Sequence, residues 1–190
     1  MSTVSLVPKA FWFLRHGETD WNAQNLSQGN VDIPLNDTGI AQAKSAAILL
    51  RGKGIKAIVS SPLSRARVTA EFAAAEVGLP VEIDTELHEC AYGVMEAKPM
   101  TEWFSDWVEG KATPEGAESF VDLTIRAVTA VNRCLLRPAP VLVVAHGAVF
   151  RALRGVMGHE PNVRTRNAVP VWCEPPASPN APWGITYADA

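Results

Sequence analysis

The sequence predicts an α/β fold, a three-layer α/β/α sandwich around a mainly parallel central sheet. Short, continuously apolar runs at residues 10–14 (A-F-W-F-L), 57–59 (A-I-V) and 141–145 (V-L-V-V-A) read as strands buried on both faces. Each run ends in a polar turn, and helical periodicity follows, so that strand, turn and helix recur in that order. At 190 residues the chain is long enough to bury such a core without disulfides or a structural metal. It reads as one domain over residues 1–190, with a core at about 10–157 and an irregular C-terminal wrap over 158–190.

The elements follow in order. After the first strand, a polar loop runs through Pro34, and residues 37–50 place Ile40, Ala43, Ala47 and Leu50 on one helical face before Gly52 and Gly54. The second strand ends at Ser60-Ser61-Pro62, and a helix over 63–77 stops at Gly78 and Pro80. Phe120, Leu123, Ala127, Val128, Val131 and Leu135 keep helical spacing within 115–136, which Pro138 and Pro140 close. The strand at 141–145 then runs through His146-Gly147 into a short helix toward Val156. Residues 100–110 carry Trp103, Phe104 and Trp107 among acids and read as a short amphipathic helix over the sheet edge. Pro175, Pro176, Pro179 and Pro182 limit the tail to short strands near 168–171 and 185–187.

Composition excludes several classes. Seventeen basic against 20 acidic residues give a net charge of -3, without the basic excess that nucleic-acid binding needs. The apolar runs are far below membrane-spanning length, and the one at 10–14 is followed by Arg15 and His16 where a signal peptide would carry small residues. Cys90, Cys134 and Cys173 form no C-x-x-C pattern and read as free thiols in a reducing compartment. The expected location is the cytoplasm, with neither nucleic acid nor membrane as a partner.

In a parallel sheet, ligands bind beyond the carboxyl ends of the strands, where backbone N–H groups are exposed. Three strand ends deliver polar residues there: Arg15-His16-Gly17-Glu18-Thr19, Ser60-Ser61-Pro62-Leu63-Ser64-Arg65, and His146-Gly147. Guanidinium groups bind phosphoryl oxygens through paired charge-assisted hydrogen bonds. An imidazole attacks phosphorus when one ring nitrogen is held and the other is free. Either histidine alone is well explained as a core residue, but two histidines with two arginines on one rim point to phosphate chemistry.

Arg15-His16-Gly17-Glu18-Thr19-Asp20-Trp21-Asn22 resembles the R-H-G-E-T-x-W-N signature of the histidine phosphatase superfamily, which also contains the cofactor-dependent phosphoglycerate mutases. Four further stretches match in order: Gln28-Gly29 with Asp32, Pro34, Leu35, Thr38, Gly39, Gln42 and Ala43; Ser60 through Ala66; Leu87-His88-Glu89; and Val144-Ala145-His146-Gly147. The resemblance implies a phosphoglycerate mutase-like fold and a phosphomonoester hydrolase that needs no metal or other cofactor and acts on a small phosphorylated metabolite. It implies His16 as the phosphoryl acceptor, Arg15, Arg65 and His146 around the phosphoryl oxygens, and Glu89 as proton donor to the leaving oxygen and later base for water. Asn22 would hydrogen-bond the same phosphoryl group, and Gln28, Gly29, Tyr92 and Gly147 would lie on the substrate side. Arg67 and Arg151 are expected to be structural, Arg67 as a solvated charge and Arg151 in a surface or supporting ion pair.

Departures from the mutase pattern favour hydrolysis over phosphoryl transfer. Mutases carry a long insertion after the acid with an adjacent arginine pair for the substrate carboxylate, whereas residues 96–114 are short and hold no arginine. Ala148 stands where mutases place asparagine, Leu26 where many relatives have arginine, and Met95, Ala97 and Ala117 interrupt two further motifs. Phosphoryl transfer of the mutase type is the alternative, and a non-catalytic phosphate-binding protein is a weaker one. Arg15 and Arg65 beside the histidines would repel a cation, so a metal centre is not expected. Trp103, Phe104 and Trp107 would suit a homodimer contact if exposed.

Overall fold

The computed structural model describes residues 4–179 and 181–189. In chain order its elements are β1 (Phe11–Arg15), α1 (Asp20–Ala23), α2 (Asp37–Leu50), β2 (Ala57–Ser60), α3 (Ser64–Val77), β3 (Val81–Ile83), α4 (Glu102–Val108), α5 (Phe120–Cys134), β4 (Val141–Ala145), α6 (Gly147–Val156), β5 (Val171–Glu174) and β6 (Gly184–Tyr187). The strands form one sheet of order β3-β2-β4-β1-β5-β6. Pairing is parallel among β3, β2, β4 and β1, and antiparallel from β1 to β5 and β5 to β6.

Alternation along the central strands divides the core in two. Phe11, Phe13, Val59, Val141 and Val143 face a layer that includes α5 and α6, while Trp12, Leu14, Ile58, Leu142 and Val144 face α2 and α3. This is the three-layer α/β/α sandwich expected, and the continuous apolar runs are its doubly covered strands.

The helix ends follow local chemistry. The Asn36 side chain accepts from the Gly39 amide at the start of α2, and Gly78 takes a left-handed conformation (φ 73°) at the end of α3. The helix expected over 115–136 begins only at Phe120, because Gly116 turns with φ 73° and the Ser119 side chain caps the Asp122 amide. Strand β3 carries little apolar signal because it lies at the sheet edge with Glu82 and Ile83 exposed.

Helix α4 is a core element of the α5–α6 layer. Trp107 is fully buried and Phe104 nearly so, and Trp103 is only partly exposed, so this cluster offers no open apolar face for a dimer contact. The tail contributes β5 and β6 at 171–174 and 184–187, close to the expected short strands. Among the described residues, no helix is long and apolar enough to cross a membrane.

Candidate active site

Parallel register brings the strand ends into line. Arg15 pairs with Ala145 and Ser60 with Val144, and one residue further the amides of His16 and Ser61 donate to Ala145 and Val144, each at 3.0 Å. His16, Ser61 and His146 therefore lie together at the carboxyl edge of β1, β2 and β4.

His16 is 2% exposed, and its Nδ1 lies 2.7 Å from the Gly17 carbonyl oxygen. A carbonyl only accepts, so Nδ1 donates and Nε2 keeps its lone pair. Burial, and then the charges of Arg65 and Arg15, hold the His16 pKa well below the usual 6.5, so the imidazole is neutral. The ring centroid of His146 is 5.2 Å away. His146 is buried, caps α6, and has its Nε2 2.7 Å from Ser61 Oγ, while its Nδ1 meets no partner among the described residues. Its pKa is likewise held down by burial first and Arg65 second.

The turn after His16 requires two glycines. A Cβ on Gly17 would stand 2.4 Å from the Gly39 carbonyl oxygen, and one on Gly39 would stand 2.0 Å from that of Glu18. The loop after β1 and the first turn of α2 cross in backbone contact, and this seats the loop that carries His16.

The arginines are built into the floor. Arg65, 1% exposed in the first turn of α3, donates to the carbonyls of Val31 and Gly29 at 2.8 Å each, and its Nε meets no partner among the described residues. The Gly29 carbonyl thus helps to position Arg65. Arg15 donates from Nη1 to the Thr165 carbonyl at 2.6 Å, and its Nε is unpartnered among the described residues. Burial and the nearby Arg151 lower the Arg15 pKa to about 10, against the pull of Glu89. Gly147 opens α6 against that guanidinium, where an added Cβ would lie 3.4 Å from Arg15 Nε. Glu89, 7% exposed, accepts from the Cys90 amide at 3.0 Å and from the Ala148 amide at 3.1 Å.

The remaining expected positions divide. Asn22 completes a capping box with Thr19, accepts from Asn167 Nδ2 at 3.2 Å, and lines a cavity of about 190 Å³ together with Arg15. Gln28 is buried and accepts from Thr19 Oγ1 at 2.9 Å, so it supports the first motif from behind. Tyr92 is 4% exposed and packs edge-on against Trp103, Phe104 and Trp107. Burial, and secondly Glu89, push its pKa well up, so the phenol stays neutral.

Arg67 behaves as expected, pairing with Glu71 on the surface. Arg151 does not. It is 8% exposed, makes no ion pair among the described residues, and lays its guanidinium over the Phe104 ring at 4.9 Å. Helix α4 covers it, a long-range packing fact that helical spacing alone does not contain. Asn167, which also donates to the His16 carbonyl at 3.0 Å, and Arg164 were absent from the sequence-based set because the irregular tail has no period to read. Ser61 lay inside a recognised motif but carried no assigned role.

Two neutral imidazoles, three buried guanidiniums and one buried carboxylate make a preorganised anion site. The profile of the histidine phosphatase superfamily (branch 1) matches residues 11–170. The chain belongs to that superfamily. It is 38% identical over 173 residues, covering 82% of this chain and 80% of the relative, to a protein of Yersinia pestis (strain Pestoides F) named probable phosphoglycerate mutase GpmB. Among solved structures it is similar to mycobacterial hydrolase 1, with a TM-score of 0.80, 28% identity, and coverage of 94% of this chain and 97% of that one. It is similar also to a mycobacterial glucosyl-3-phosphoglycerate phosphatase in complex with VO3, with a TM-score of 0.79, 29% identity, and coverage of 94% and 98%. The proteins it resembles are named both as a phosphatase and as a probable phosphoglycerate mutase.

Proposed function

We propose that the enzyme hydrolyses a small phosphorylated metabolite through a phosphohistidine on His16. One observation carries the reading: His16 is held at Nδ1 by the Gly17 carbonyl and kept neutral, so its Nε2 lone pair is available beside Arg15, Arg65 and His146. Nε2 forms the bond to phosphorus as the ester oxygen leaves, and Glu89 gives that oxygen its proton. The two arginines and His146 neutralise charge on the equatorial oxygens, and Asn22 adds a hydrogen bond. In the second half Glu89 takes a proton from water, the hydroxide oxygen attacks phosphorus, and the N–P bond breaks to return neutral His16 and inorganic phosphate.

Hydrolysis of p-nitrophenyl phosphate by the wild type and by His16→Ala tests this. Turnover is expected to vanish in the variant, and equal rates would remove His16 from the chemistry. The likeness to a protein named as a mutase supports phosphoryl transfer as a second reading. Conversion of 3-phosphoglycerate to 2-phosphoglycerate in the presence of 2,3-bisphosphoglycerate would establish it. The three buried free cysteines support the cytoplasm as the location.

A further inference from the structure

Glu89 sits in the connection between β3 and α4, where no strand ladder holds the backbone. A single 3-10 turn at Thr85–Leu87 ends at His88, and the chain runs on without regular structure through Glu89. Carbonyls at the end of such a turn have no partners within it and must find them elsewhere. Arg126 of α5 supplies them. Its Nη1 donates to the carbonyls of Glu86 at 2.7 Å and His88 at 2.9 Å, and its Nη2 reaches that of Glu89 at 3.5 Å. Nε and Nη2 also donate to the two carboxylate oxygens of Glu118 at 2.8 and 2.6 Å, a bidentate pair whose side chains are only 12% and 17% exposed.

Glu118 is fixed in turn. Its amide donates to the Ala91 carbonyl at 2.8 Å, and its own carbonyl accepts from Trp107 Nε1 of α4 at 2.9 Å. The pair therefore grips the chain on both sides of Glu89. An ion pair serving α5 alone would join residues three or four positions apart. This one spans eight positions, starts before the helix does, and spends a whole guanidinium nitrogen on the loop of the acid. Burial opposes the charge of Arg126, but its bonds to Glu118 and the carboxylates of Glu118 and Glu89 outweigh it, and its pKa is raised.

We infer that Arg126, locked by Glu118, is a positioning residue for Glu89, holding the backbone of the acid so that its carboxyl stays within proton-transfer reach of the leaving oxygen. This rests on the phosphatase reading above and deepens it. Arg126 spends its guanidinium on protein acceptors, so its effect on catalysis passes through Glu89. Helix α5 sets the loop, and the Ala148 amide of α6 sets the carboxylate. A general acid works only within hydrogen-bond reach of its oxygen, and a misplacement of about 1 Å can cost about 10²-fold.

The test uses phenyl phosphate and p-nitrophenyl phosphate, which share a ring but differ in how much the leaving oxygen needs a proton. A lysine is a compact point charge and cannot reach all the acceptors of Arg126. In Arg126→Lys, kcat on phenyl phosphate is expected to fall about tenfold to hundredfold with KM within about twofold, while p-nitrophenyl phosphate loses less than about threefold. Glu118→Gln is expected to show the same split, smaller, and carries the comparison if Arg126→Lys is too unstable to assay. Placed in Glu89→Gln, which already lacks the acid, Arg126→Lys is expected to lower phenyl phosphate turnover by less than about twofold, because both changes act through one group. An ion pair with a merely structural role would slow both phosphates alike and add its full loss to that of Glu89→Gln. Either result overturns the positioning role, and so do wild-type rates on phenyl phosphate in both variants. A wild type that leaves p-nitrophenyl phosphate intact overturns the phosphatase reading and this inference with it, whereas turnover without the split overturns the inference alone.

Discussion

Glu89 Oε2 accepts the Ala148 amide at 3.1 Å, which ties the proposed proton donor to the first turn of the helix that His146 caps. The acid is thereby held in register with the histidines although it comes from a loop after β3 rather than from a strand end.

That placement predicts a leaving-group dependence. Glu89→Gln keeps the shape but has no proton to give at neutral pH, so turnover of an alkyl phosphate is expected to fall about 10²- to 10⁴-fold. An aryl phosphate, whose leaving oxygen needs less help, should lose much less. Steady-state rates on glycerol 3-phosphate and p-nitrophenyl phosphate check this, and equal losses on both would argue that Glu89 is not the acid.

The backbone crossing of Gly17 and Gly39 predicts a stability cost far from any charged group. In Gly39→Ala the new methyl meets the Glu18 carbonyl oxygen at 2.0 Å, and the loop has to move. A loss of about 1–3 kcal/mol by urea unfolding is expected, together with reduced turnover. A variant as stable and active as the wild type would mean that the crossing is loose.

His16 and His146 predict a pH dependence of stability. Both pKa values are held well below 6.5 in the folded state, by burial first. Below 6.5 the unfolded chain therefore binds more protons than the folded one. This contribution is fully present above 6.5 and is lost as pH falls toward the folded values, at up to about 1.4 kcal/mol per pH unit for each histidine. Urea unfolding between pH 7 and 5 should show a shallower slope in His146→Asn than in the wild type, and identical slopes would refute the burial account.

The cysteines predict silence toward thiol reagents. Cys90, Cys134 and Cys173 are buried, and burial pushes the Cys134 thiol up to about 12 and the other two higher still. Ellman's reagent should label none of them in the native protein and all of them in guanidinium. Rapid labelling of the native protein would contradict the packing of α5 and β5.

The strands and most helices were legible because their signals are local. A doubly covered strand such as 141–145 must be apolar throughout, and a helix such as 64–77 ends where Gly78 can turn left-handed. The same holds for His16, Arg65 and His146, which stand directly beyond those strands or in the turn that follows. Strand β3 escaped notice because an edge strand has few core contacts to impose a pattern, and the start of α5 was set too early because Gly116 and Ser119 decide it locally.

Sequence alone determined the α/β class, the parallel centre of the sheet and the three strand ends that present His16, Arg65 and His146, since periodicity and turn residues act over a few positions. The tertiary structure decided what surrounds them. Only chain-distant packing buries Arg151 under Phe104, brings Asn167 from the tail to the loop that carries His16, and sets Gln28 against Thr19, Gly29 against Arg65 and Tyr92 among the aromatic rings of α4. Those contacts join residues up to 151 positions apart, and no local pattern encodes a hydrogen bond of that span.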